Sequence, residues 1–149
     1  MKTSLYAAYG SNLNHEQMKI RCPNAKFYKN AVLRDYCLVF RGVADIEHCS
    51  NECVEIGLWE VTDECIDSLD RYEGYPYLYG KAIGSFETDK ENIDAMIYFM
   101  ESDRGYFPPS SQYLNSIKQG YKDCNLNEIL LNKAVVRNEN DILSVEMFS

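Results

Sequence analysis

The sequence predicts an α+β fold around a mostly antiparallel sheet, and three observations lead to this prediction. Segments typical of strands and helices follow one another as strand, helix, several strands, helix, strands and helices, without strict alternation. Apolar residues make up 46% and charged residues 26% of the 149 positions, so the chain can bury a core of its own. We find no internal repeat and no linker rich in Pro or Gly, and residues 1–149 are therefore predicted to form one domain.

The first predicted strand, residues 3–9, ends in a polar turn. The turn residues Gly10, Ser11 and Asn12 tolerate unusual backbone geometry and can present N–H groups to an anion. Asn14 is a suitable N-cap for a short helix that ends before Pro23. By itself such a turn is typical both of a simple chain reversal and of a binding site.

Strand-like segments dominate the middle of the chain. Residues 31–33 and 36–41 are rich in Val, Leu, Tyr and Phe and predict a pair resembling a hairpin. The polar residues 43–52 are predicted to form a loop, and residues 54–61 a third strand. Gly57 within that strand indicates a bulge or a close approach of another segment.

The second half of the chain begins with a predicted helix that Thr62 caps and Gly74 ends. Its buried face is predicted to contain Ile66, Leu69 and Tyr72.

Two strands and two helices complete the prediction. Residues 78–86 and 95–100 are predicted to pair as antiparallel strands. Ser110 or Ser111 is predicted to cap one further helix and Asn127 another, before a tail or last strand at residues 141–149.

Charge and cysteine content limit the classes of partner. The formal net charge is −8, and no segment concentrates Lys and Arg, which argues against nucleic acid and membrane surfaces as partners. No apolar run is long enough to span a bilayer, and we expect a cytoplasmic protein with reduced thiols at its six cysteines. The sequence leaves the oligomeric state open. A zinc site at His48, Cys49 and Cys53 is a minor alternative, because a fourth ligand is missing.

Glu73 is the candidate acid or base. It ends the predicted helix among several tyrosines, and both the helix dipole and burial at this position would raise the pKa of its carboxyl group. A pKa near neutrality suits general acid–base catalysis, although an exposed glutamate that merely ends the helix is an equally good interpretation of this segment alone.

Other catalytic arrangements have little support. Only His15 and His48 could serve a catalytic triad, and neither lies beside a nucleophile motif. The sequence also lacks the glycine patterns of nucleotide and dinucleotide sites.

Three motifs, taken together, resemble those of the γ-glutamylcyclotransferase family, and a fourth segment resembles its bacterial, AIG2-like members. The three motifs occur in the family's order. They are Tyr9-Gly10-Ser11-Asn12-Leu13, Leu69-Asp70-Arg71-Tyr72-Glu73-Gly74 and Pro109-Ser110-Ser111-Gln112-Tyr113 with Ile117 and Gly120, and the fourth segment is Phe40-Arg41-Gly42. The resemblance implies a small mixed sheet that closes into a barrel flanked by short helices.

The resemblance also implies a reaction: the α-amine of a γ-glutamyl compound attacks its own γ-amide carbonyl, which gives 5-oxoproline and a free amine or amino acid without a cofactor or metal. By the same resemblance Glu73 is the acid/base residue, and the turn from Tyr9 to Leu13 binds the substrate. Tyr79 and Tyr113 are implied pocket residues, for which core packing is the alternative. Arg41 is a candidate for binding the α-carboxylate.

Two other functions remain as alternatives. The chain could be a ligand-binding module that binds γ-glutamyl compounds without turnover, or a serine hydrolase that uses Ser11. The leaving amine is not identified by the sequence, and the predicted loop 43–52 is a candidate for lining its pocket.

Overall fold

The computed structural model describes residues 2–100 and 104–148, which form five strands and four helices. The strands are β1 (Thr3–Ala8), β2 (Lys26–Phe40), β3 (Ala44–Thr62), β4 (Gly80–Glu87) and β5 (Asn92–Phe99). The helices are α1 (His15–Arg21), α2 (Asp63–Glu73), α3 (Ser111–Asp123) and α4 (Glu128–Phe148), and a 3-10 turn covers Ser11–Leu13.

The five strands form a closed barrel in the order β1-β3-β2-β4-β5. Antiparallel pairing joins all neighbours except β1 and β5, which run parallel where Tyr6 pairs with Met96. The predicted α+β class and closed mixed barrel are therefore confirmed, as is the antiparallel pairing of β4 and β5.

Strands β2 and β3 form one long hairpin, and the predicted division of this region into strands is wrong. Segments 31–33 and 36–41 are not paired with each other but belong mainly to the single strand β2, where a register shift at Asp35 accommodates a φ of 66°. The prediction of a loop at residues 43–52 is also wrong, because β3 begins at Ala44. Ala44 pairs with Phe40 and Ile46 with Leu38, so backbone pairing compensates for the polar composition of this arm.

The predicted helix ends are confirmed. The side chains of Asn14, Thr62 and Ser110 accept hydrogen bonds from the third residue after each of them, and Gly74 ends α2 in the left-handed conformation. The Asn127 side chain accepts the N–H of Ile129 at the start of α4.

Two details of the helices differ from the prediction. Tyr72 is 46% exposed, and Cys65 joins Leu69 as a buried residue of α2 instead. Residues 141–148 continue α4 because no strand edge of the closed barrel is left for them to extend. Among the described helices none has the length and apolar character needed to cross a membrane.

Two glycines allow the turn after β1 to pack closely against its neighbours. A Cβ at Gly120 of α3 would lie 2.6 Å from the backbone nitrogen of Asn14, and one at Gly57 of β3 would lie 2.9 Å from Leu13 Cδ2. Gly57 thus marks a close approach, as one reading of the sequence predicted. The Leu13 side chain is fully buried, and the turn is fixed between β3 and α3.

Candidate active site

A cavity of about 180 Å³ lies where the end of β1, the start of β3 and the end of α2 meet. Its polar lining comes from the turn after β1, from Glu73 and from the hydroxyl groups of several tyrosines. Val43, Ala44 and Leu78 supply apolar lining. Of the segment predicted to line the leaving-group pocket, residues 43–52, two residues therefore do reach the cavity: Val43, just before β3, and Ala44, the first residue of β3.

The Glu73 side chain lines this cavity at the last residue of α2. Burial raises the pKa of its carboxyl group from 4.5 to about 7, and the positive charge of Arg21 opposes this rise. In the described part of the chain, no hydrogen bond holds the Glu73 carboxylate. It is therefore a carboxyl group that titrates near neutrality and is free to exchange a proton with a ligand.

The turn after β1 lines the same cavity as Glu73 with all of its motif residues except Leu13. Tyr9, Gly10, Ser11 and Asn12 line the cavity, whereas Leu13 packs into the core. The N–H groups of Leu13 and Asn14 donate within the turn, to Gly10 O and Ser11 O. The preceding N–H groups, on Ser11 and Asn12, have no acceptor within the turn, as is general at the start of a helix.

Tyr79 and Tyr113 line the cavity on either side of Ala44. The Tyr79 hydroxyl donates to Ala44 O at 2.6 Å, and the Tyr113 hydroxyl accepts the Ala44 N–H at 3.0 Å. The Tyr79 proton is thus already engaged, while the Tyr113 proton remains available to a ligand. Burial raises the pKa of Tyr113 to about 12, which keeps its phenol protonated at neutral pH.

Arg41 is not among the residues that line the cavity. Its Nε is 2.8 Å from Asp45 Oδ2 and its Nη2 is 3.0 Å from Glu47 Oε1, and its Nη1 donates to the Arg104 carbonyl. Because these contacts occupy its guanidinium, we remove Arg41 from the candidate substrate-binding residues.

Arg21, at the end of α1, also belongs to this site although it was not predicted from the sequence. Its Nη1 donates to Ser11 Oγ at 3.2 Å and to Asn12 Oδ1, and its guanidinium stacks on the Tyr72 ring with Cζ 3.4 Å from the centroid. A basic residue in the last turn of the helix that follows the motif was the only available signal.

Tyr6 and Tyr98, also missed, complete the polar lining. The Tyr6 hydroxyl accepts from Asn12 Nδ2 at 3.0 Å, and the Tyr98 hydroxyl donates to Asp70 Oδ1 at 2.6 Å. Asp70 also contacts Lys81 Nζ at 3.0 Å. Asp70 is therefore held by a tyrosine of β5 and a lysine of β4.

The alternative chemistries find little support in the described residues. Ser11 Oγ contacts Tyr72 and Arg21 but no histidine, since the His15 ring packs against Phe27 and Trp59. Residues 2–100 and 104–148 contain no group of three or more His, Cys, Asp or Glu side chains arranged to hold a metal.

A polar cavity beside a closed barrel, lined by a carboxyl group that titrates near neutrality, is typical of an enzyme that acts on a small molecule. Comparison with known proteins identifies the family. The model of the family "Gamma-glutamyl cyclotransferase, AIG2-like" matches residues 6–120, and the chain belongs to that family.

Individual relatives agree with this assignment. The chain is 33% identical over 134 residues to a gamma-glutamylcyclotransferase of Bos taurus and 31% identical to that of Homo sapiens, in each case over 80% of this chain and 70% of the relative. A solved gamma-glutamyl cyclotransferase structure superimposes with a TM-score of 0.82 at 28% identity, over 89% of this chain and 86% of that one.

Proposed function

We propose that this protein is a γ-glutamylcyclotransferase that converts the γ-glutamyl group of a γ-glutamyl amino acid or amine into 5-oxoproline. The substrate's α-amine attacks its own γ-carbonyl carbon, the γ-amide C–N bond breaks, and the free amine leaves. The reaction is an internal acyl transfer, so every electron pair it needs comes from the substrate, and only a proton must be moved by the protein.

One observation supports the proposal above all others: the Glu73 carboxyl group and the turn formed by Gly10, Ser11 and Asn12 line the same cavity. An α-ammonium group has a pKa of about 8, and the pKa of Glu73 is about 7. Proton transfer from the ammonium group to Glu73 is therefore nearly balanced. The same carboxyl group can return the proton to the departing nitrogen.

In this proposal the turn after β1 supplies hydrogen-bond donors to the γ-carbonyl oxygen, while Glu73 transfers the proton. A negative charge develops on the γ-carbonyl oxygen during the attack, and the N–H groups of Ser11 and Asn12 are suitable donors to it. The Tyr113 hydroxyl, whose proton is not engaged by Ala44, is a further donor to the substrate. Ser11 serves in binding here and not as a nucleophile.

Holding the substrate in the attacking conformation accounts for much of the expected rate. Nucleophile and electrophile belong to one molecule, and well-oriented intramolecular reactions reach effective molarities of about 10⁵–10⁸ M.

We also propose that the protein works in the cytoplasm, where thiols remain reduced. All six cysteines are free, and four of them, Cys22, Cys37, Cys65 and Cys124, are buried.

Replacement of Glu73 tests the proposal. The wild-type protein and Glu73→Gln are incubated with a panel of γ-glutamyl amino acids and γ-glutamyl amines, and 5-oxoproline, glutamate and the free amine are measured by mass spectrometry. We expect 5-oxoproline from the wild type and a fall in kcat/KM of at least about 100-fold in Glu73→Gln, because general acid–base catalysis is lost. Glu64→Gln, on an exposed position of the same helix, is the matched control and should retain activity.

The products distinguish the alternatives. Release of glutamate in place of 5-oxoproline, with loss of activity in Ser11→Ala, would indicate a hydrolase. Tight binding of a γ-glutamyl compound with no product would indicate a binding module. Full activity in a folded Glu73→Gln variant would refute the assignment of Glu73.

A further inference from the structure

Arg21 connects two parts of the cavity that are about sixty residues apart in the sequence. From the end of α1, its Nη1 binds the side chains of Ser11 and Asn12 in the turn. Its guanidinium plane lies on the ring of Tyr72 in α2, the residue before Glu73. Ser11 Oγ is also 3.3 Å from the Tyr72 hydroxyl, so Arg21, Ser11 and Tyr72 contact one another in a closed triangle.

These contacts use features that only a guanidinium combines. Its planar face stacks on an aromatic ring while its edge donates hydrogen bonds. A lysine would keep the charge but lose the stacked plane and the fork of donors. Because the Asn12 side chain also donates to the Tyr6 hydroxyl, the position of Arg21 affects the wall of the cavity beyond the turn.

Arg21 also supplies a positive charge that acts on the pKa of Glu73. Burial raises the pKa of five of the tyrosines that line the cavity with Glu73, so these five side chains are neutral at neutral pH. Other charges near the site are paired, Asp45 with Arg41 and Asp70 with Lys81. The titratable groups that interact with Glu73 come from several parts of the fold. They are Tyr6 in β1, Tyr9 just after β1, Tyr79 just before β4, Tyr98 in β5, Tyr113 in α3 and Arg21 in α1.

We propose that Arg21 is a positioning residue: its guanidinium holds the side chains of Ser11 and Asn12 against Tyr72 and thereby fixes the separation between the turn and Glu73. Its positive charge also opposes the rise in the pKa of Glu73. The proposal rests on the proposed function for its kinetic consequences, since a turn displaced from Glu73 could not bind the substrate in the attacking geometry. It assigns to Arg21 no proton transfer and no contact with the reacting atoms.

Two substitutions separate the geometric role from the electrostatic role. Arg21→Met removes both the donors and the charge, whereas Arg21→Lys retains the charge near Glu73. We expect kcat/KM to fall about 100-fold in Arg21→Met, a loss typical of a misplacement by about 1 Å. We expect a smaller fall in kcat/KM in Arg21→Lys. In both variants the fall should appear mainly in kcat, because the turn is proposed to stabilise the transition state.

The pH dependence provides a measurement that a merely structural role would not change. Since the positive charge of Arg21 opposes the rise in the pKa of Glu73, the ascending limb of the kcat/KM profile should move to higher pH in Arg21→Met. In Arg21→Lys it should return toward the wild-type midpoint. NMR titration of the Glu73 carboxyl carbon measures the same pKa without any turnover.

Lys19→Met is the matched control, because Lys19 is an exposed cation of the same helix. Its activity and the pKa of Glu73 should equal those of the wild type. Arg21→Met and Arg21→Lys with wild-type kcat/KM and an unchanged Glu73 titration would overturn the proposal. An equal activity loss in both variants with no change in that titration would overturn the electrostatic role, because lysine also lacks the stacked plane and the fork of donors. If the wild type shows no turnover on any substrate, the proposed function fails, and the NMR titration still decides the electrostatic role of Arg21.

Discussion

The buried position of Glu73 lowers the free energy of unfolding when its carboxyl group is ionised. Burial raises the pKa of its carboxyl group from 4.5 to about 7, so the folded protein binds this proton more tightly than the unfolded chain does. The free energy of unfolding therefore decreases as the pH rises from about 4.5 to about 7. Above pH 7 the full penalty for the buried charge is present, and it amounts to about 3 kcal/mol.

Removal of this charge should stabilise the protein in a pH-dependent way. We expect Glu73→Gln to be more stable than the wild type by up to about 3 kcal/mol at pH 8, and the difference to disappear below pH 4. Urea unfolding at a series of pH values measures this difference, with Glu64→Gln as the exposed control. A difference that is constant from pH 4 to pH 8 would show that Glu73 is not the group with the raised pKa.

Single residues were predicted well where their role depends on neighbours in the chain. The caps at Asn14, Thr62 and Gly74 were identified because a cap bonds within three or four residues. The partners of Asp70 in α2 were not predicted, because Lys81 and Tyr98 come from the distant strands β4 and β5. Nothing in the segment around Asp70 indicates those contacts.

At the scale of elements, the close packing of α3 against the turn after β1 depends on Gly120. Alanine in place of glycine usually stabilises a helix by about 1 kcal/mol. At Gly120, however, the added Cβ would lie 2.6 Å from both Asn14 N and Leu13 Cβ, and the backbone cannot give way cheaply. The packing term should therefore outweigh the gain in helix propensity.

We expect Gly120→Ala to lower the free energy of unfolding by about 1–3 kcal/mol and to reduce 5-oxoproline formation, because the turn that lines the cavity is displaced. Gly105→Ala is the control, since no atom lies within 4 Å of its added Cβ. Urea unfolding and the 5-oxoproline assay measure both effects. A stabilised and fully active Gly120→Ala variant would contradict this account of the packing.

Element types were easier to predict than element boundaries in the long hairpin. The sequence indicated strands within β2 and at the end of β3, but the polar residues at the start of β3 were assigned to a loop. In that arm the burial pattern changes from three consecutive buried residues at Ala44, Asp45 and Ile46 to an alternation of exposed and half-buried positions. Pairing with β2 and not the local pattern decides that these residues form a strand.

At the scale of the whole molecule, the ion pair of Arg41 and Asp45 joins several segments. Both side chains are almost completely buried, at 4% and 0% exposure. Asp45 Oδ1 accepts the Met100 N–H just after β5, and the Arg41 guanidinium binds the Arg104 carbonyl. The pair thus links the β2–β3 hairpin to the segment that follows the last strand of the barrel.

We expect Arg41→Met to lower the free energy of unfolding by about 3–5 kcal/mol, because it leaves the buried Asp45 carboxylate without its cation. The KM for a γ-glutamyl substrate should not change under conditions in which the variant is folded. Chemical unfolding and steady-state kinetics test the two statements. Arg34→Met is the control, since Arg34 joins strands through an exposed pair with Glu87 and should affect stability much less.

An increase in KM without a loss of stability in Arg41→Met would reverse this interpretation. It would return Arg41 to the role that the sequence resemblance implied, binding of the substrate's α-carboxylate.

The sequence by itself determined the class of fold, the caps of the helices, the polar turn after β1 and, through its motifs, the family and the candidate acid/base residue Glu73. These properties follow from short-range periodicity, from capping and from residue types at fixed spacing. Only the tertiary structure decided that Arg21 meets the turn, that Tyr79 and Tyr113 share Ala44, and that Arg41 lies outside the cavity. Closure of the barrel brings these distant groups together, and the burial it produces raises the pKa of Glu73 toward neutrality.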